Sequence, residues 1–259
     1  MKAAALALLF LLGASAPAPA WDAAGHRIAC AIAWDELPPP TRTKIGTLLG
    51  TPGRDAFAES CTGLAPGQDT AALHHVFIPK AARAVEVARD CRSGCALTEI
   101  ERSVAVLKGE AGPSEKADAV KTLAHLVADI HQPLNIAFAQ DGGGAEIRGT
   151  FQGRPVSLRD MWETELVGTL AGLGGKVGRV YDFMSIEARA PKTKLATPLD
   201  WANETLWIMR SPATGYLGSP GGIDYDETYV RQNRRIALEQ LDKSGVRLAA
   251  LLTEVLDGP

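Results

Sequence analysis

The chain is predicted to fold as one mainly α domain. Apolar residues recur at helical spacing along most of it, strand-like alternation is slight, and no repeat or Pro/Ser-rich linker divides residues 21 to 259. Ala23 to Trp34 and Pro40 to Leu49 read as short amphipathic helices, followed by Thr98 to Lys108. Lys116 to Ile130 is the strongest, entered after Pro113-Ser114 and stopped before Pro133, whose ring cannot continue a helix. Leu158 to Ala171, Trp201 to Met209 and a long pattern from Glu227 to Leu256 complete the set, with Gly245 a candidate interruption in the last. A small β-hairpin is expected over Glu146 to Phe151 and Arg154 to Val156, turning at Gln152-Gly153 after the turn Asp141-Gly142-Gly143-Gly144. Arg189 to Pro198 and Ser211 to Gly222 read as long surface loops.

Residues 1–20 have the composition of a secretory signal. Lys2 gives the charged start, Ala3 to Leu12 the apolar core, and Ala18-Pro19-Ala20 the small-x-small cleavage site. That core is short of the ~20 apolar residues a spanning helix needs, so no membrane anchor is expected. Cleavage after Ala20 makes Trp21 the mature N-terminus, with a free α-amine and its own carbonyl as potential metal ligands; a buried tryptophan anchoring the first helix is the alternative. A secreted or periplasmic location follows. It agrees with an even number of cysteines, 4 in all, since disulfides persist in oxidising compartments. Cys91 and Cys95 suit a small local loop and leave Cys30 for Cys61, with a simple buried thiol at Cys30 the competing reading. The formal charge of -3 supplies no basic footprint, but bound divalent cations would reverse that sign locally, so charge does not decide the substrate.

All 5 histidines lie in motifs able to converge on a metal cluster, which points to a zinc-type hydrolase. The densest motif runs from Leu123 to Asn135. Within it His125 and Asp129 stand four apart, on one helix face, where imidazole and carboxylate can grip one ion. His131 lies about 240° round from His125 and is expected to support the cluster from the core instead. His26, five residues after Trp21, can fold back with the N-terminal amine around one ion. His74 and His75 open the extended run His74 to Pro79; alternation sends them to opposite faces, so at most one serves the cluster.

These residues together resemble a known family, the secreted trinuclear-zinc nucleases specific for single strands, or type I nucleases, related to the zinc phospholipases C. The resemblance spans nearly all of the mature chain: Trp21 to His26, Phe57 to Cys61, His74 to Pro79, Arg89 to Cys91, His125 to Leu134, Asp141-Gly-Gly, Asp200 to Glu204, and Gly245 to Ala249. It implies a helical domain of the phospholipase C/nuclease type. It also implies that Asp129 bridges two zinc ions, one held by His74 and His125, the other by Trp21 and His26, and that water between them attacks phosphorus in line.

The family pattern breaks at two places. Its third zinc would fall on Asn135, Arg159 and Glu163; asparagine is a weak ligand and arginine has no lone pair to give, so two zincs are predicted and the third site empty. Arg159 is expected to offer fixed charge to a phosphate oxygen in that place, or else only to form an ordinary surface pair with Glu163. The family's Trp-Ala-Asp aspartate matches Ala65, with Glu59 or Asp69 as possible replacements. Single-stranded DNA or RNA and nucleotides are the implied substrates of a monomeric metal-dependent phosphoric ester hydrolase. A zinc-binding protein that has lost catalysis and a phospholipase C-like esterase are the alternatives.

Overall fold

The computed structural model describes residues 21–64, 71–171, 197–218 and 222–258. Residues 1–20, for which a secretory signal is expected, Ala65, Asp69 and residues 189–196 lie outside them. The fold is mainly α, as the periodicity predicts.

Helix α1 (Ala23–Glu36) begins at Asp22, whose carboxylate accepts from the Gly25 N–H at 2.9 Å, and runs almost wholly buried from Gly25 to Ala33. Helix α2 (Pro39–Leu49) starts on a proline that gives up no needed donor and stops at Gly50, in the left-handed region at φ 68°. A short helix α3 (Arg54–Ser60), not expected from the sequence, packs on α1; the Cys30–Cys61 disulfide ties the two together. The second disulfide, Cys91–Cys95, closes the loop between α4 (Val87–Asp90) and α5 (Ala96–Lys108). Both cysteine pairs are therefore the expected ones.

Helix α6 (Pro113–Asp129) is the axis of the molecule, and every residue from Thr122 to Asp129 is buried. It starts three residues earlier than predicted because Pro113 serves as its first residue. Beyond its end, strand β2 (Ile136–Phe138) pairs in parallel with β1 (Val76–Ile78), a contact that brings the His74 segment against the α6 terminus. The hairpin is present as β3 (Arg148–Phe151) and β4 (Arg154–Ser157), with Gln152 at φ 51° and Gly153 at φ 75° in its two-residue turn. Strand β5 (Ile223–Asp224) adds in parallel to β3. Its two residues are too short to leave a periodic signal.

From β4 the chain enters α7 (Leu158–Asp160), passes a π-type turn at Met161–Glu165, and continues as α8 (Leu166–Ala171). Helix α9 (Pro198–Met209) starts earlier than expected, because Thr197 and Asp200 form a reciprocal cap around Pro198. Helix α10 (Glu227–Asp257) is continuous, so Gly245 does not interrupt it. That glycine serves close packing: a Cβ there would lie 2.6 Å from Cγ2 of Ile32 and 2.7 Å from the Ala29 carbonyl oxygen on α1. The core so formed is lined by Trp21, Phe57, Ile32, Leu123, Phe138 and Trp162. Among the described residues, no helix is long and apolar enough to cross a membrane.

Candidate metal centre

Asp129, fully buried at the last position of α6, faces three imidazoles. Its two oxygens divide them. Oδ1 lies 3.0 Å from Nε2 of His26, while Oδ2 lies 2.8 Å from Nδ1 of His74 and 3.4 Å from Nε2 of His125. The His74 and His125 nitrogens are 3.1 Å apart, and the rings of His26 and His125 stack in parallel with centroids 4.0 Å apart. Ligand atoms of His26, His125 and Asp129 all fall within 4.8 Å of one another.

Two of the three imidazoles have their protons committed elsewhere. A carbonyl oxygen can only accept, so the 2.8 Å contact from His125 Nδ1 to the Cys61 carbonyl places the hydrogen on Nδ1. Nδ1 of His26 likewise faces the Asp22 carbonyl, at 3.2 Å. Burial, reinforced by the neighbouring imidazoles, pushes His125 down to about 4, so it is neutral near pH 7 and its Nε2 is a bare lone pair. Burial by itself would raise Asp129, but the imidazoles around it hold it below the ordinary carboxylate range. His125 and His26 thus turn lone pairs toward the carboxylate, while Nδ1 of His74 lies within hydrogen-bond reach of Oδ2 at 2.8 Å. A cation relieves that repulsion.

The spacing agrees with the donor set. Two ligands each about 2.1 Å from a tetrahedral zinc are about 3.4 Å apart, close to the 2.8, 3.1 and 3.4 Å edges of the His74, His125 and Asp129 triangle. Backbone carbonyls that orient metal-binding imidazoles are the usual support for such a site. Trp21 is buried beside it, its indole Nε1 donating to the Ala128 carbonyl at 3.0 Å, one residue from Asp129.

The next cluster has the opposite character. Asn135, also fully buried, donates from Nδ2 to the main-chain carbonyl of Asp129 at 3.0 Å, and its Oδ1 has no hydrogen-bond partner among the described residues. Arg159 sets Nε 2.6 Å from Oε1 of Glu163 and donates from Nη1 to the Gly142 carbonyl at 3.0 Å, while Nη2 meets Nε2 of His75. The expected pairing of Arg159 with Glu163 is present. It is no surface pair, however, with the two residues only 8% and 3% exposed. Burial pushes the Glu163 carboxyl up to about 8, with the guanidinium pulling the other way. Gly143, at φ 66°, makes room for Arg159, since a Cβ there would lie 2.6 Å from Nη1.

The structure therefore brings His26, His74, His125 and Asp129 together and holds Trp21 against them by its side chain. His75 belongs to the Arg159 cluster, stacked on Phe77 at 4.9 Å. His131 is turned away, donating to the Val127 carbonyl and receiving Nη1 of Arg247 at 2.8 Å. Glu59 does not replace the ligand missing at Ala65: it is exposed and paired with Arg27 at 2.7 Å. Its helix turns it outward, onto solvent and the arginine. Asp69 is outside the described residues. The supporting carbonyls of Asp22 and Cys61 had no sequence signal, because any residue supplies a carbonyl.

The S1/P1 nuclease family model matches residues 21–257. The chain belongs to the S1/P1 nuclease family. Members similar to it include Endonuclease 1 of Arabidopsis thaliana, 25% identical over 271 residues covering 91% of this chain and 87% of that protein. Nuclease S1 of Aspergillus oryzae is 24% identical over 267 residues, covering 92% and 93%. Endonuclease 2 of Arabidopsis thaliana is 25% identical over 276 residues, covering 95% and 94%. Family membership agrees with the hydrolase reading of the sequence.

Proposed function

We propose that this S1/P1 family member is a zinc-dependent phosphodiesterase, an endonuclease with 3'-nucleotidase-like character acting on single-stranded DNA or RNA. The observation that carries the proposal is the division of the Asp129 carboxylate: one oxygen on His26, the other on His74 and His125, with bare nitrogens facing both. Asp129 would then help to hold two ions. His74 and His125 would hold one; His26 would hold the other with the amine and carbonyl of Trp21, once cleavage after Ala20 in a secreted or periplasmic setting has freed them. The relatives' names, endonucleases and Nuclease S1, give the same reaction class.

Zinc bound there supplies Lewis acidity, lowering the pKa of water and polarising a phosphoryl oxygen. The chain's own residues do the rest. Asp129 fixes the separation of the two ligand sets, and the Asp22 and Cys61 carbonyls keep the imidazoles in the tautomer that presents Nε2. Arg159 stands where the family pattern has its third ion. Each of its terminal nitrogens has a second N–H beyond those given to Gly142 and His75, enough to meet a phosphate oxygen. Fixed in place by Glu163, this cation stabilises charge developing on the phosphoryl group without any rearrangement during the reaction.

The test measures zinc by elemental analysis of the exported, monomeric protein beside its turnover of single-stranded DNA, RNA and nucleoside 3'-phosphates. Two zincs per chain, hydrolysis abolished by a chelator, and an N-terminus at Trp21 are expected. Zinc uptake without hydrolysis of any of them would leave a metal-binding protein that has lost catalysis. Preferential hydrolysis of phosphatidylcholine would move the chain to the phospholipase reading.

A further inference from the structure

The loop that receives Arg159 is held by a side chain from far along the sequence. Gly142, Gly143 and Gly144 follow one another in the left-handed region, at φ 60°, 66° and 88°. Glycine has little backbone preference of its own, so three in a row give the loop no intrinsic shape. That shape matters, because its two outer carbonyls meet Arg159: Gly142 accepts from Nη1 at 3.0 Å and Gly144 from the main-chain N–H at 3.3 Å. Oδ1 of Asp141 accepts from the Gly144 N–H at 3.2 Å and also from the hydroxyl of Tyr216, which itself accepts from the Phe138 N–H at 3.1 Å. One phenol oxygen thus joins the end of β2 to the carboxylate that folds the glycines. Tyr216 is only 5% exposed. Burial and the Asp141 carboxylate push it well above the ordinary phenol range, so the hydrogen stays on the hydroxyl and is donated.

Tyr216 is anchored in turn, and its anchor leads back to the same place. It follows the short turn Pro212–Thr214, whose carbonyls are held from α10: Nδ2 of Asn233 donates to Ala213 at 2.9 Å and the Tyr229 hydroxyl to Thr214 at 2.9 Å. The Tyr229 hydroxyl also accepts from Nε1 of Trp162 at 3.0 Å, and Trp162 lies between Arg159 and Glu163 in the chain. The contacts therefore close on themselves, leaving the Arg159–Glu163 segment through Trp162 and returning to it at Gly142. Such a circuit fixes the guanidinium relative to the backbone that carries it.

We infer that Tyr216 and Asp141 are positioning residues for Arg159: together they set the Gly142 carbonyl, and so the direction in which the guanidinium turns its remaining N–H groups. Neither touches the reacting atoms. A fixed charge stabilises a transition state best when it needs no rearrangement, and a shift of ~1 Å caused by a change away from the chemistry can lower a rate ~10²-fold. Phenylalanine would fill nearly the same volume, so packing alone does not call for the hydroxyl of Tyr216. The effect on turnover rests on Arg159 being the cation that meets the phosphoryl group; the holding of the guanidinium does not.

Tyr216→Phe tests the inference in the zinc-loaded protein, with turnover of a single-stranded dinucleotide and hydrogen exchange at Nε of Arg159, followed by NMR, as separate readouts. The variant is expected to lower kcat about tenfold with KM and zinc content unchanged, and to speed exchange at Arg159 about tenfold. Added to Arg159→Ala/Glu163→Gln, it should cause no further loss of kcat, since its effect passes through the guanidinium. Asp141→Asn, whose Oδ1 can still accept from both donors, should stay within about twofold of the wild type, whereas Asp141→Ala should match Tyr216→Phe. Unchanged exchange in Tyr216→Phe would overturn the inference, as would an unchanged kcat in an active protein, losses that multiply in the combined variant, or an Asp141→Asn as impaired as Asp141→Ala. Should the wild type hydrolyse nothing, the nuclease reading fails alone, and the exchange rate still decides whether the pair holds the guanidinium. Thermal unfolding shows which variants are folded; if Tyr216→Phe is not, the comparison of Asp141→Asn with Asp141→Ala decides.

Discussion

Two buried polar clusters meet at Asp129, one on its carboxylate and one on its main-chain carbonyl, and they are built on opposite principles. On the carboxylate side, His26 and His125, whose Nδ1 protons are spent on the Asp22 and Cys61 carbonyls, present lone pairs to a negative group that also meets His74. That cluster is complete only with a cation added. On the carbonyl side, Asn135 gives a hydrogen bond and Arg159 brings its own positive charge, held in place by Glu163. There the protein has supplied the cation itself. Burying charge is tolerated only when it is paired; in one cluster the proposed ion would meet that requirement, and in the other the partners are side chains and a backbone carbonyl.

The largest effect is expected on the carboxylate side. His125→Ala removes the imidazole that shares Oδ2 of Asp129 with His74, and turnover of single-stranded DNA should fall about a thousandfold or more, with at least one zinc lost per chain. Metal content and activity measured on the same preparation check this. Retention of both zincs would break the assignment of His125 as a ligand.

On the carbonyl side, Arg159→Ala leaves the Glu163 carboxyl, which burial pushes up to about 8 and so keeps mostly neutral at pH 7, without its hydrogen-bond partner, a loss of about 1–3 kcal/mol. The double variant Arg159→Ala/Glu163→Gln removes that penalty and isolates the charge. Its stability should return most of the way while turnover stays about a hundredfold down, the scale of losing a preorganised charge. Zinc content should not change. If the double variant works at the normal rate, the guanidinium is structural and plays no part in stabilising the phosphoryl group.

A smaller effect links the carboxylate side to the disulfide. Cys61 supplies the carbonyl that fixes the His125 tautomer, and its sulfur joins α3 to α1, the helix that carries His26. Removing the bridge with Cys30→Ala/Cys61→Ala should cost about 2–4 kcal/mol and weaken zinc affinity roughly tenfold. Calorimetry and competition with a chelator report the two losses separately. A fall in stability with unaltered zinc affinity would show that the carbonyl stays in place without the bridge.

Much of this was legible in the sequence, for identifiable reasons. His125 and Asp129 share a helix face because of the 3.6-residue period, and Cys91 and Cys95 bracket a short loop, so the centre of the site and that disulfide follow from local spacing, while Cys30–Cys61, 31 residues apart, followed only as the pair left over. The β1–β2 pair that brings His74 to Asp129 has three residues a side and no alternation to detect. Gly245 misleads for a different reason: glycine spells a break in local terms, whereas here its missing side chain lets α1 approach α10. Arg159 and Glu163 were readable as a pair through their spacing of four. Their burial was not, because it depends on Gly143 and the π-type turn, both set by tertiary packing.

The smallest effect concerns neither cluster directly but the support behind them. His131, two residues beyond Asp129, receives Arg247, which is paired with Glu204 at 2.6 Å; Lys243 holds the other Glu204 oxygen at 2.7 Å. Burial alone would raise the Glu204 carboxyl, but Lys243 and Arg247 outweigh it and hold it below the ordinary glutamate value. A carboxylate with a depressed folded-state pKa contributes stability that is fully present above its unfolded value, near pH 4.5, and is lost as pH falls through the folded one. Acidification below about pH 5 should therefore lower the melting temperature of the wild type more than that of Glu204→Gln, which begins about 1–2 kcal/mol less stable at pH 7. The two curves should converge as pH falls through the folded-state value. Parallel curves over that range would mean that Glu204 contributes packing and not charge, and that Arg247 holds His131 without it.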